Sequence, residues 1–193
     1  MNARKTPNHR FADIAGLGTP VFHTDDVANL WRIRNRNTLS TTLSRYAAAG
    51  LIHRIHKGFY SIKKISELDP RLVGLRALHG PAYISCESVL FEQGLLNQPP
   101  REITLVGRIS KRFGLVGERY RVRKLKEEFL VNDTGIESKN GLRVASTERA
   151  VADLLYFNPK KYFDILSPAT RHHAQEIARA VGYSLKKNHD SAK

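Results

Sequence analysis

The sequence predicts an α+β fold in two parts: a small N-terminal module over residues 1–66 and a mixed α/β domain over residues 67–193 that ends in a polar tail. Three observations carry that expectation. Hydrophobic spacing changes from helical to strand-like after Gly50, and a polar linker runs from Lys63 to Asp69-Pro70. Beyond it, short apolar runs alternate with helical stretches between Pro-Pro and Asn-Gly breaks. The length of 193 residues suits one small and one medium domain, and 41% hydrophobic with 8% aromatic residues is the make-up of a folded chain.

In the first part, the polar residues Asn2, Arg4, Lys5, Thr6, Pro7 and Asn8 read as a frayed end or an extended arm. Phe11, Ile14 and Leu17 fall at helical spacing before Gly16, Gly18 and Pro20 stop the helix. Thr24 reads as an N-cap with Asp25 and Asp26 in the first turn, and Val27, Leu30 and Trp31 form the apolar face of a short helix. Arg32 to Arg36 is a basic turn. A second helix is expected over 37–49, with Leu39, Leu43, Tyr46 and Ala47 inward and Gly50 at its end. Residues 51–56 then read as a strand, Lys57-Gly58 as a turn and 59–62 as the returning strand. Helix, turn, helix and basic hairpin in that order predict a winged helix-turn-helix.

In the second part, Leu72, Leu75, Arg76 and Leu78 suggest a helix. A strand is expected at 82–84, and then a helix capped by Ser85 that carries Val89, Leu90 and Phe91. Further strands are expected at 103–106, 120–123 and 129–131, and on both sides of Asn140-Gly141. Ser146 caps a helix with Ala150, Val151, Leu154 and Leu155 apolar, which Asn158-Pro159 ends, and a last helix is expected over 168–181.

Charge narrows the partners. Thirty-two Lys and Arg against 18 acids give a net +14, a field that draws polyanions, with nucleic acid first. No apolar run approaches the roughly 20 residues of a spanning helix, so no membrane is expected, and the N-terminus lacks the apolar centre of a secretory signal. The expected location is cytoplasmic. The single cysteine, Cys86, has no partner for an internal disulfide and reads as a buried free thiol.

The second helix of the first module presents Asn37, Thr38, Ser40, Thr41, Ser44 and Arg45, side chains able to reach base edges and phosphates of double-stranded DNA. Arg34 and Arg36 from the turn, and Arg54, His56 and Lys57 from the wing, are placed to contact the DNA backbone. From Thr24 to Lys64 eight basic residues face two Asp. In the second part Arg108, Lys111, Arg112, Arg119, Arg121 and Arg123 form a second candidate surface for an anion or a partner. Alternation puts the last three on one strand face, opposite Tyr120 and Val122. His53 and His56 point to opposite faces of a strand, and His172 and His173 diverge on a helix. With no Cys pair, no His-x-x-x-His and no phosphate loop, neither metal nor cofactor is expected. The reading is therefore not an enzyme; a nuclease built from distant acids is the catalytic alternative.

At these residues the chain resembles the AbiEi family of type IV antitoxins. The likeness lies in Thr38-Leu39-Ser40-Thr41-Thr42-Leu43-Ser44-Arg45, Gly50-Leu51-Ile52 and the wing from Arg54 to Tyr60. In the second part it lies in Ile103-Thr104-Leu105-Val106 and in Ser146-Thr147-Glu148-Arg149-Ala150-Val151-Ala152-Asp153-Leu154-Leu155. The resemblance implies a winged helix that binds operator repeats and represses its own operon; since one winged helix reads few bases, a dimer or paired monomers on repeated half-sites are expected. It also implies a C-terminal domain that counters a cognate nucleotidyltransferase-like toxin. The alternative is a plain winged-helix regulator whose second domain dimerises or senses a ligand.

Overall fold

A computed structural model describes residues 7–184, so residues 1–6 of the expected polar arm and the tail over 185–193 lie outside the described residues, while Pro7 and Asn8, expected in that arm, open the first helix instead. The fold is α+β, with eight α-helices and two sheets among them, and divides into two compact units, Met1–Ala77 and Leu78–Lys193. Among the described residues no helix is long and apolar enough to cross a membrane.

The first unit runs α1 (Pro7–Ala15), β1 (Val21–His23), α2 (Thr24–Trp31), α3 (Arg36–Ala48), β2 (His53–His56), β3 (Phe59–Ser61), a single 3-10 turn (Ile65–Glu67) and α4 (Pro70–Arg76). Ile14, Phe22, Val27, Leu39, Leu43, Tyr46, Ile52 and Tyr60 form one buried cluster drawn from three helices, the sheet and the loop after α3. The sheet is antiparallel in the order β1-β3-β2. Strand β1 escapes sequence reading because three residues after Pro20 show no period of their own; they extend because Phe59–Ser61 pairs with them.

Three expectations for this unit change. His23, not Thr24, is the N-cap of α2, and Asp26 accepts the His23 amide at 2.7 Å. Thr24 turns instead to the hairpin: its amide and its hydroxyl both donate to the Gly58 carbonyl, at 2.9 and 3.2 Å. Helix α3 begins one residue before the expected Asn37 because Asn35 Oδ1 accepts the amides of Asn37 and Thr38. The unit boundary falls after Ala77 rather than after Ser66. Helix α4 belongs with the first unit, where Leu72, Val73 and Leu75 are buried and His23 Nε2 hydrogen-bonds the Arg76 carbonyl at 2.5 Å.

The second unit contains β4 (Ala82–Ile84), α5 (Glu87–Glu92), β5 (Ile103–Gly107), β6 (Lys111–Leu115), β7 (Glu118–Lys124), α6 (Glu127–Leu130), β8 (Ile136–Lys139), β9 (Leu142–Ala145), α7 (Thr147–Phe157) and α8 (Pro168–Val181). Its mixed sheet has the order β6-β7-β5-β4-β9-β8. Pairs β5/β7 and β4/β9 are parallel, and the other three are antiparallel. Helix α7 is buried along Arg149–Leu154, six consecutive residues, so it has no solvent face there.

Here too the structure corrects three readings. Phe129–Val131 is not a strand: Glu127 and Glu128 open a one-turn helix, α6, in which Leu130 is buried. Cys86, not Ser85, stands at the N-cap of α5, in the left-handed half of backbone space at φ 55°, ψ −130°. Strand β6 is not expected from the sequence, because its charges and Gly114 hide the alternation of Phe113 and Leu115. The Asn140-Gly141 hairpin and the Ser146 cap, whose hydroxyl accepts the Arg149 amide, form where the sequence puts them.

Candidate nucleic-acid interface

Helix α3 divides by angle. At about 100° per residue, Leu39, Leu43 and Tyr46 cluster on one side and are buried, while Ser40, Ser44, Asn37, Thr41, Arg45 and Thr38 fill an outward arc of about 160° and are all exposed. Six hydrogen-bonding side chains therefore share one solvent-facing surface, held by a helix whose other side is fixed in the core. The Asn35 cap pins the first turn, so these groups are pre-oriented.

Arg34, in the turn before α3, is exposed. Arg36 is exposed too but lies on the flank of α3 nearest α2, where its guanidinium pairs with Asp25; both side chains remain more than half exposed, 65% and 57%. The expected free phosphate grip is thus an exchangeable ion pair, and such surface pairs are worth little.

In the hairpin, Arg54, His56 and Lys57 are exposed. A bulge between Arg54 and His56 shifts the register, pairing Arg54 with Tyr60 and His56 with Phe59. Arg54 and His56 are both exposed, while His53 and Ile55 are half-buried. The turn is anchored at its base: Gly58 has φ +77°, a Cβ there would stand 3.4 Å from Thr24 Oγ1, and its carbonyl takes the two Thr24 hydrogen bonds. His23 stacks on Phe59 at 4.5 Å and Phe22 on Tyr60 at 6.0 Å, so the basic tip stands on an aromatic base.

The six basic residues of the second unit separate. Arg123 leaves the proposed surface: its side chain is 13% exposed, it pairs with Glu87 of α5, and its guanidinium lies 5.3 Å from the Phe157 ring centre of α7. Two helices cover that end of β7, which period-two spacing does not reveal. Arg108 pairs with Glu127, and Arg112 with Glu102 at 3.1 Å. Lys111 lies over Phe113 at 4.7 Å. Arg119 is exposed and Arg121 half-buried, and neither forms an ion pair among the described residues.

Sequence reading missed a buried polar network. Asp153 accepts from Arg149 Nε at 2.9 Å, Tyr83 Oη at 2.9 Å, Ser85 Oγ at 2.7 Å and the Tyr183 hydroxyl. Arg149 spends its remaining donors on the carbonyls of Phe129, Asn132 and Thr134 and on both tyrosine oxygens. Arg149 and Asp153 are 0% exposed, so each charge is compensated only by the other and by neutral dipoles. Burial, then the Asp153 charge, raises both tyrosine hydroxyls far above their ordinary range. Burial works against the Arg149 charge, yet Asp153 and the two tyrosines outweigh it, so the guanidinium holds its proton more firmly than usual. The signal available was the Arg-x-x-x-Asp spacing, one helical turn apart in a stretch with no polar face. Cys86 is buried as expected, and burial pushes its thiol up.

The two adjacent histidines do not diverge as expected. Glu176 lies three and four residues on, on the next turn between them, so one donor atom from each of His172, His173 and Glu176 falls within 4.8 Å of the others, all three residues exposed. No family model matches the chain, and no curated protein matches it.

Proposed function

We propose that the first unit is a winged helix-turn-helix that binds double-stranded DNA, with α3 in the major groove and the β2–β3 hairpin as its wing. The observation that carries this reading is the outward arc of α3: six exposed hydrogen-bonding side chains over about 160° of a helix fixed from behind by Leu39, Leu43 and Tyr46. An α-helix about 10–12 Å across with its side chains fits a groove about 12 Å wide, and the 13 residues of α3 extend about 20 Å along it. Thr38, Ser40, Thr41 and Arg45 read base edges; Arg34, Arg54 and Lys57 hold phosphates, joined by Arg36 when Asp25 releases it.

The whole chain then acts as the DNA-binding antitoxin of a type IV toxin–antitoxin system. It represses its own operon through operator repeats and neutralises a nucleotidyltransferase-like toxin. This second half rests on the resemblance of the α3, wing, β5 and α7 segments to AbiEi antitoxins. The test is to express an adjacently encoded nucleotidyltransferase alone, with the full chain, and with the full chain carrying Thr41→Ala and Arg45→Ala. Rescue by both chains, with repression lost only in the variant, supports an antitoxin whose two activities are separable. A harmless neighbour removes the antitoxin half and leaves a DNA-binding regulator.

A further inference from the structure

We infer that the β6–β7 hairpin of the second unit is a second phosphodiester-binding surface, a strip of Arg112, Arg119 and Arg121 that takes the sugar-phosphate backbone of duplex DNA. The inference rests on the proposal that the first unit binds DNA.

The strand register places Arg112 directly opposite Arg121, and Arg119 opposite Gly114, so three guanidinium groups share one face of two neighbouring strands. Like charges directly opposite one another destabilise a sheet. One acid, Glu102, partners one of the three. Glu118 does not help, because alternation sends it to the other face with Tyr120 and Val122. An anion laid on the strip relieves a repulsion that Glu102, paired with Arg112 alone, offsets only in part.

The ordinary role of charge on a sheet edge does not account for the pattern. Strand β6 is an edge strand, and Lys111 and Arg112 there discourage unwanted strand pairing. Arg119 and Arg121 sit on β7, which has β5 on one side and β6 on the other, and have no edge to protect.

The chemistry favours a phosphate backbone over an acidic protein. A protein interface is built round apolar or aromatic anchors with charge kept to the rim. Between these arginines the strip offers Gly114 and no apolar side chain, since Phe113 and Leu115 alternate to the opposite face. All three positions carry the planar fork that matches phosphate oxygens in pairs. Arg119 and Arg121 are about 6.6 Å apart along the strand and Arg112 about 4.8 Å across, a patch on the scale of two or three phosphates at about 3.4 Å of rise per strand.

The test uses the full chain and a fluorescein-labelled duplex of random sequence, with anisotropy titrations across sodium chloride concentrations. Each phosphate contact contributes about −0.9 to the slope of log affinity against log salt. Replacing Arg112, Arg119 and Arg121 by Gln is expected to reduce that slope by about 2 to 3 without lowering the melting temperature, and replacing all three by Lys to restore it. A parallel variant, Arg34→Gln with Arg54→Gln and Lys57→Gln, probes the first unit. If only the first-unit variant changes the slope, the strip does not bind DNA and an acidic protein surface becomes its partner. If only the strip variant does, the strip stands and the first-unit reading falls. Absence of binding by the unaltered chain overturns both.

Discussion

Arginine does opposite work in the two units. Arg45 stands in solvent on the outward arc of α3, while Arg149 is fully buried on α7 and saturated by a carboxylate, two phenols and three carbonyls. Both helices begin alike, with Asn35 or Ser146 capping a first turn and polar side chains following. What separates them is how much of the circumference is covered. Only one side of α3 is packed, whereas α7 is buried through six consecutive residues, so any charge it carries must be answered from inside. The α7 residues on which the AbiEi resemblance leans are therefore the ones that hold the second unit together, whatever that unit binds.

The largest expected effect follows from breaking that inner pair. Arg149→Ala leaves Asp153 charged in the core, and Asp153→Ala leaves Arg149; each is expected to cost about 3–5 kcal/mol of second-unit stability. Replacing both, Arg149→Met with Asp153→Leu, removes the uncompensated charge and should cost clearly less than the two singles combined. Urea unfolding of the four proteins measures this. A cost under about 1 kcal/mol for either single would mean that the network is ornamental. Equivalent replacements at Arg45 should leave stability within about 0.5 kcal/mol.

The same contrast appears in alkali. Tyr83 and Tyr183 have hydroxyls raised from 10.0 by burial and by Asp153, so folding favours their protonated form. Their contribution is fully present below pH 10, the unfolded value, and declines as pH rises above it, because the unfolded chain then loses two protons that the folded chain keeps. The loss is about 2.7 kcal/mol per pH unit for the two together. In the first unit burial raises Tyr46 as well, but Arg10 opposes the shift. Unfolding followed separately in the two units between pH 9 and 11 should show the second failing first; simultaneous loss would contradict the assignment.

Much of this contrast was legible in sequence, and the failures share a cause. Helix α8 and the Asn140-Gly141 hairpin are legible because each carries its own signal: a Pro at the helix start, or a dipeptide that accepts positive φ. Strand β1 and the one-turn α6 have no such signal, being set by what they pair or pack with. For the site, exposure of the eleven first-unit residues follows from helical and strand periods, which are local. That Arg36 meets Asp25, that α5 and α7 cover Arg123, or that Asp153 collects Tyr83 and Tyr183 depends on partners up to 70 residues away, and no periodicity encodes that distance.

On the outer face the expected effects are smaller and fall on recognition. Arg45→Ala should weaken operator binding by about 1–3 kcal/mol and random-duplex binding much less, if it reads a base edge. Equal losses on both duplexes would reassign it to the phosphates. Electrophoretic mobility shifts on the two duplexes at one fixed salt concentration separate these outcomes.

The smallest effect sharpens the comparison most, because it concerns an arginine with a foot in both roles. Arg36 is exposed like Arg45 yet ion-paired like Arg149, and the pair with Asp25 lies in water, where its worth is about 0.2–1 kcal/mol. Asp25→Asn should therefore leave stability nearly unchanged while removing a negative charge beside the surface proposed to meet DNA and freeing Arg36. Random-duplex affinity should rise, and the salt slope should steepen by up to about 0.9, one added phosphate contact. If the substitution instead costs more than about 1 kcal/mol and affinity does not rise, the Asp25 pair braces α2 against α3. Arg36 would then belong with the buried arginines in kind, holding the fold rather than reaching outward from it.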